Sequence, residues 1–136
     1  MTRIRTATAA DVPTVLALWE RERSPAAVTT DTEDAVLLAI EAGALLVAEE
    51  EGTLVGTVIA GWDGWRGGLW RLAVEPAERR RGIGRALVEA AERRLMRLGG
   101  RRVTALVGRD EGEAGAFWEA AGYSEDAKIT RFVRNL

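Results

Sequence analysis

A chain of 136 residues fits one domain, 1–136, long enough to bury a core and too short for a second catalytic unit. With 47% hydrophobic and 29% charged residues it excludes disordered, collagenous and fibrous readings, and having neither Cys nor His removes disulfides, thiol nucleophiles, Cys/His zinc sites and histidine bases. The formal net charge of −2 hides a division: residues 1–60 carry four Arg and ten acids, net −6, whereas residues 79–109 carry ten Arg against Glu89 and Glu92, net +8, which implies a local anionic partner for the basic block.

Residues 1–6 alternate and predict a first strand. Asp11 offers an N-cap, Pro13 sits in the first turn, and Val12, Val15, Leu16, Leu18 and Trp19 give the following helix an apolar face. The pattern breaks around Ser24-Pro25. Thr30 or Asp31 then caps a second helix through residue 40, with Val36, Leu37 and Ile40 at helical spacing and Gly43 as its stop. Strands follow at 44–49 and 53–62 around the turn Glu51-Gly52, and at 69–74 after a Gly-rich turn over 63–68, together an antiparallel meander. Pro76 ends the third of these. A long helix over 84–98 buries Leu87, Val88, Ala91, Leu95 and Leu98 and stops at Gly99-Gly100. A strand over 102–107, a helix over 113–121 and two final strands meeting at Ala127-Lys128 complete the order βααβββαβαββ, an α+β fold whose mixed, mostly antiparallel central sheet carries helices on both faces. No apolar stretch approaches the ~20 residues of a membrane span, and the N-terminal residues have no apolar export signal, so a cytoplasmic protein without membrane contact is expected.

The most informative segment runs from the strand Leu72-Ala73-Val74 through Pro76 to Arg79-Arg80-Arg81-Gly82-Ile83-Gly84-Arg85. Two glycines at the opening of a helix let backbone approach a ligand, and the free N–H groups and dipole of the helix start suit a phosphate or pyrophosphate, with arginine forks beside them. A dinucleotide fingerprint fails, since seven residues separate Val74 from Gly82 and the upstream strands form hairpins; a P-loop fails for want of Gly-Lys-Ser/Thr.

Arg79-Arg80-Arg81-Gly82-Ile83-Gly84 resembles the R/Q-x-x-G-x-G/A motif of the Gcn5-related N-acetyltransferases (GNAT), and residues 114–123, with Phe117-Trp118 and Gly122-Tyr123, resemble that family's A-x-x-F-Y-x-x-x-G-F segment. The order of elements agrees along essentially the whole chain. Within the family the chain looks most like small bacterial single-domain members similar to YpeA, which share Leu18-Trp19-Glu20-Arg21 and the turn containing Gly61, Asp63, Gly64, Arg66 and Gly67. The resemblance implies an N-acetyltransferase that moves acetyl from acetyl-CoA to a primary amine of a small molecule, a protein N-terminus or a lysine. It further implies that the CoA pyrophosphate rests on the 79–84 backbone with Arg79, Arg80, Arg81 or Arg85 neutralising it. The pantetheine arm would pair with the edge of Leu72, Ala73 and Val74, amides near Ala73 would bind the thioester oxygen, and Phe117 and Glu111 would stand at cofactor-contacting positions.

The same resemblance exposes departures. The family's usual Tyr acid is Trp118 here, whose indole is no practical proton donor, and the usual positions of a Glu base match Leu106 and Gly68. Asp63 and Glu20 are the remaining base candidates, and Asp63 is also an ordinary Asp-Gly turn residue. Glu111 stands where relatives carry an Asn that contacts the cofactor arm. For the aromatics two readings stand. Either Trp70 and Trp118 are core and Trp62 and Trp65 cover it, or Trp62 and Trp65, with Trp19, line the acceptor site or a dimer contact. Homodimers are common in the family. The acidic N-terminal half favours a cationic amine. The lack of Cys argues against an acyl-enzyme and for direct transfer in a ternary complex, and no metal is expected. The alternatives are a catalytically weakened acetyl-CoA sensor or interaction module, suggested by Trp118 and Glu111, and a nucleic-acid-binding domain, which lacks a recognisable motif and a positive net charge.

Overall fold

The computed structural model describes residues 2–23, 30–109 and 111–136; the expected break at Ser24-Pro25 and the first residue of the leading strand, Met1, lie outside the described residues. One sheet has the order β1 (Thr2–Thr6), β2 (Leu45–Glu50), β3 (Thr53–Trp62), β4 (Gly67–Val74) and β5 (Val103–Ala105). The first three pairings are antiparallel and β4–β5 is parallel, which is the mixed, mostly antiparallel arrangement expected. Helix α3 (Ile83–Arg97) covers one face, where Ile83, Leu87, Val88, Ala91 and Leu95 pack on Leu46, Ala48, Val58 and Leu69. Helices α1 (Val12–Arg21) and α2 (Glu33–Glu41) cover the other through Val12, Val15, Leu18, Trp19 and Val36 on Leu45, Val47 and Ala73. Helix α4 (Gly112–Ala120) lies at the rim and buries no side chain fully. No helix of the described residues is long and apolar enough to cross a membrane.

Local chemistry revises several boundaries. Asp11 does not cap α1 with its side chain: its carboxylate accepts the Thr8 N–H at 2.7 Å and pairs with Arg5, and a short 3-10 turn over Ala9–Asp11 leads into the helix. Helix α2 is capped by Thr32, whose Oγ1 accepts from the Ala35 N–H at 3.1 Å, rather than by Thr30 or Asp31; Asp31 is held instead by Arg71 and Arg23. Gly67 and Gly68 belong to β4, not to the turn. Leu95 of α3 presses on Gly67, where a Cβ would come within 2.8 Å of its side chain, so the glycine there admits the helix to the sheet. Leu98, expected in the core, is exposed just beyond the end of α3.

The two final strands do not form. Residues 124–136 carry no strand, every one of them is exposed, and Phe132 is 93% so. Two causes are visible. Ile129 and Val133 share one parity while Phe132 and Leu136 share the other, so no single strand face is apolar. The sheet edge they would join is β5, only three residues long.

Candidate active site

Strand β4 is where the sheet opens. It pairs with β5 only over Gly67–Val103, Gly68–Thr104 and Leu69–Ala105, and past that point no strand of the described residues pairs with its outer edge. The unpaired stretch contains Leu72, Ala73 and Val74, the residues expected to receive the pantetheine arm. Ala73 is buried toward α1 and α2, while Leu72 and Val74 pack on the α3 side.

A bulge begins the opening. Thr57 of β3 stands opposite Ala73 and Ile59 opposite Trp70, so β4 contains one extra residue between them. Arg71 absorbs it with φ +54°, a left-handed conformation costing a non-glycine residue about 1–2 kcal/mol. Three contacts hold it there: the Arg71 carbonyl accepts from Thr57 Oγ1–H at 2.9 Å, its guanidinium pairs with Asp31, and that guanidinium lies 5.4 Å from the Trp19 ring centroid. The bulge also resets side-chain parity, so Arg71 as well as Ala73 faces α1 and α2. Trp70, expected in the core in one reading, is instead 50% exposed, its indole lying over Gly61 and Gly68, where a Cβ would sit 3.5 and 3.2 Å from Nε1.

Beyond Val74 the chain makes a 3-10 turn over Pro76–Glu78 and then adopts positive φ at Arg80 (+64°) and Gly82 (+79°), the latter at the N-cap of α3. A Cβ on Gly82 would meet no protein atom within 4 Å, so its Cα faces open space beside the first amides of α3. Gly84 differs: its Cα packs on Phe117, where a Cβ would come within 3.1 Å of the ring, and on Val74. Ile83 is buried in the α3 core and offers only its backbone outward. Arg79 pairs with Glu22, Arg81 with Glu78 and, at 3.6 Å, with Glu50, and Arg85 with Glu89 and the Ala120 carbonyl; Arg80 has no ion pair among the described residues. Arg21–Glu75 and Glu22–Arg79 fasten the end of α1 to this loop. The acid excess of residues 1–60 is thus spent in part on the arginines of 71–81, which weakens the argument from charge for a cationic acceptor.

The remaining expected site residues divide. Glu20 is exposed on α1, one residue before the Arg21 that pairs with Glu75. Asp63 is exposed in the β3–β4 turn at the far end of the sheet, about six residues and so roughly 20 Å along β4 from Ala73. Its carboxylate accepts the Arg66 and Trp65 N–H groups at 2.6 and 2.8 Å, which hold it below its ordinary pKa. Trp65 is 74% exposed with the Arg66 guanidinium stacked 4.1 Å from its ring centroid, Trp62 is half-buried beside Gly100, and Trp19 is buried with its Nε1–H donating to Thr57 Oγ1 at 2.8 Å. Trp118 stands edge-on between Phe117 and Tyr123, with ring centroids 5.3 and 4.9 Å away. Tyr123, the one tyrosine, donates to Glu92 at 2.7 Å, and burial together with that carboxylate raises its pKa. Glu111 is the N-cap residue of α4, with its carboxylate lying against Gly108.

Sequence reasoning missed Thr57, Trp70, Arg71 and Asp31. Thr57 alone carried a signal, as the one polar side chain within the apolar run 54–60. The cavities of about 240 Å³ beside Arg93, Arg94 and Arg97 and about 300 Å³ beside Trp65 and Arg102 include no residue of 70–85.

The sequence pattern of the Acetyltransferase (GNAT) family matches residues 13–123. Acetyltransferase plu1384 of Photorhabdus laumondii is 35% identical over 101 residues, which are 74% of this chain and 71% of that one. Among solved structures, Ard1 from Thermoplasma volcanium superposes with a TM-score of 0.82 at 21% identity, over 93% of this chain and 84% of that one. The protein yncA from Salmonella typhimurium, solved with its cofactor acetyl-CoA, gives 0.78 at 23% identity, over 93% of this chain and 81% of that one. With the family pattern spanning most of the chain and a relative above 30% identity beside it, this protein belongs to the GNAT family of acetyltransferases.

Proposed function

We propose that the protein transfers the acetyl group of acetyl-CoA to a primary amine by direct attack in a ternary complex. The observation that carries this reading is the free β4 edge at Leu72, Ala73 and Val74 leading into the open N-terminus of α3 at Gly82. That groove has the parts the cosubstrate requires: strand-edge groups for an amide-bearing arm, then outward N–H groups and a positive helix end for a pyrophosphate, with Arg80 in no ion pair among the described residues and Arg79, Arg81 and Arg85 within the same loop and first turn. Leu72, Ala73 and Val74 would bind the arm, with Phe117 and Glu111 on its α4 side.

The amine nitrogen attacks the thioester carbonyl carbon, the C–N bond forms, the C–S bond breaks, and the proton shed by the amine ends on the departing thiolate directly or through water. With a free thiol pKa near ~8.5 that thiolate leaves without a dedicated acid, which accommodates an indole at Trp118. We assign the base to Glu20, acting through water, because its helix is pinned to the cofactor loop; Asp63 caps its own turn at the far end of the sheet. The YpeA-like subgroup, a cytoplasmic location, metal-free chemistry and a homodimer belong to the same reading. The dimer is supported by four large apolar side chains, Ile129, Phe132, Val133 and Leu136, that stand exposed within eight residues of one another. Trp62 and Trp65 are the acceptor-side or dimer-contact aromatics.

Calorimetry with acetyl-CoA at micromolar protein, repeated on Gly82→Glu, tests the cofactor site: binding that is absent, or that survives the substitution, refutes it. Thiol release across a panel of amines tests transfer. Binding without release by any acceptor selects the second reading, an acetyl-CoA sensor, which Trp118 and the commitment of Tyr123 to Glu92 favour. A full chain that sediments as a monomer at every concentration refutes the dimer.

A further inference from the structure

We propose that Thr57 is a positioning residue for acetyl transfer, fixing the β4 bulge so that the Leu72 N–H projects into the cleft between β4 and β5. The inference rests on the acetyltransferase reading above and adds a residue that touches neither cosubstrate nor acceptor.

Thr57 is fully buried, and both hydrogen-bonding functions of its hydroxyl are used: Oγ1 accepts from Trp19 Nε1–H at 2.8 Å and donates to the Arg71 carbonyl at 2.9 Å. The indole N–H can only donate and the Arg71 carbonyl can only accept, so between these two partners the hydroxyl proton goes to the carbonyl. This carbonyl belongs to the extra residue of the bulge, at φ +54°, where a regular ladder partner is missing because the register shifts between Thr57 and Ile59. The side chain therefore substitutes for the ladder at the single point where it fails.

The consequence passes through peptide geometry. The Arg71–Leu72 peptide is trans and planar, so its C=O and N–H point to opposite sides. Aiming the Arg71 carbonyl at Thr57 in β3 aims the Leu72 N–H away from β3, toward the edge that β5 has left after Leu69–Ala105. On the acetyltransferase reading the thioester oxygen would sit at this edge, where a fixed donor meets the negative charge that develops on it, and a preorganised donor stabilises the transition state more than the bound ground state. Thr57 keeps the peptide plane from rotating.

The test uses the full chain as wild type, Thr57→Val and Thr57→Ser, with Thr57→Cys, a weaker donor of similar size, as a second disruptive variant should valine prevent folding. Each is measured for Tm, acetyl-CoA affinity by calorimetry, kcat and KM for an accepted amine, and the Leu72 amide resonance with and without acetyl-CoA. The expected result for Thr57→Val is a kcat lower by about tenfold or more, in keeping with a misaimed oxyanion donor. Acetyl-CoA affinity stays within about threefold, the Leu72 shift on binding is lost, and serine restores all of these. Valine with wild-type kcat and Leu72 shift, or serine no better than valine, overturns the proposal while leaving the acetyltransferase reading intact. If the wild type binds acetyl-CoA without turnover, the Leu72 shift alone decides. A wild-type chain that binds no acetyl-CoA overturns both.

Discussion

The two glycines of the proposed cofactor loop make a sharp test, because the structure assigns them opposite surroundings. In Gly82→Ala the new methyl meets no protein atom within 4 Å, so the fold pays only for a left-handed φ of +79°. That is about 1 kcal/mol, or a Tm lower by roughly 3–5 °C for a domain of this size. On the proposed reading the same methyl would project into the space an approaching pyrophosphate needs. Losing one charge-assisted hydrogen bond there costs about 1.5–3 kcal/mol, and acetyl-CoA affinity falls about ten- to a hundredfold. In Gly84→Ala the methyl faces Phe117 at 3.1 and 3.3 Å, so the ring must yield. The overpacking of about 1–3 kcal/mol is partly offset by the ~1 kcal/mol that alanine gains over glycine inside a helix, and binding changes less than in Gly82→Ala. Calorimetry and thermal melts on the same preparations separate the two effects. If Gly82→Ala binds acetyl-CoA within twofold of wild type while its Tm falls as expected, the loop amides are not the pyrophosphate site.

Asp11 is held at a pKa of about 2, first by the Arg5 side chain, so its stabilisation is complete above the unfolded value of 3.8 and fades as pH falls from about 4 toward 2; Asp11→Asn should lower stability by about 1 kcal/mol at neutral pH and match wild type near pH 2 in denaturant melts. Tyr123→Phe should cost about 1 kcal/mol through the lost bond to Glu92 and leave kcat within twofold. Because burial and Glu92 raise the Tyr123 phenol, its contribution is full below pH 10 and declines above it, so the gap between the two proteins should narrow in alkaline melts. Gly67→Ala should destabilise by about 1–3 kcal/mol by crowding Leu95, and Leu95→Ala by about 2–5 kcal/mol; the double variant should lose less than their sum, and strict additivity would contradict the contact.

How much of this was legible in the sequence depended on whether a residue's role was local. Helical periodicity placed α3 because Leu87, Val88, Ala91 and Leu95 repeat along one face and all are buried. The open loop ahead of α3 was legible because glycine and helix-start chemistry act over the six consecutive residues 79–84. Gly67 and Gly68 read as turn because their reason for being small, Leu95 and the Trp70 indole, lies elsewhere in the chain. The bulge at Arg71 left no trace in residue type, since it arises from a one-residue mismatch with β3 and is paid for by Thr57, Asp31 and Trp19 together. The expected final strands failed for the converse reason: apolar residues were present, but no partner edge of useful length awaited them.

Since residues 124–136 contribute no buried side chain, both cores close on what precedes them. Synthesis runs from the N-terminus at about 5–20 residues per second, so the sheet and its helices are already complete in covalent terms before this segment is translated. Folding of the two cores therefore does not wait for residues 124–136. A reporter fused after residue 136 should leave the domain's folding intact, whereas one fused ahead of Thr2 abuts an edge strand whose first side chain is bonded to Glu50.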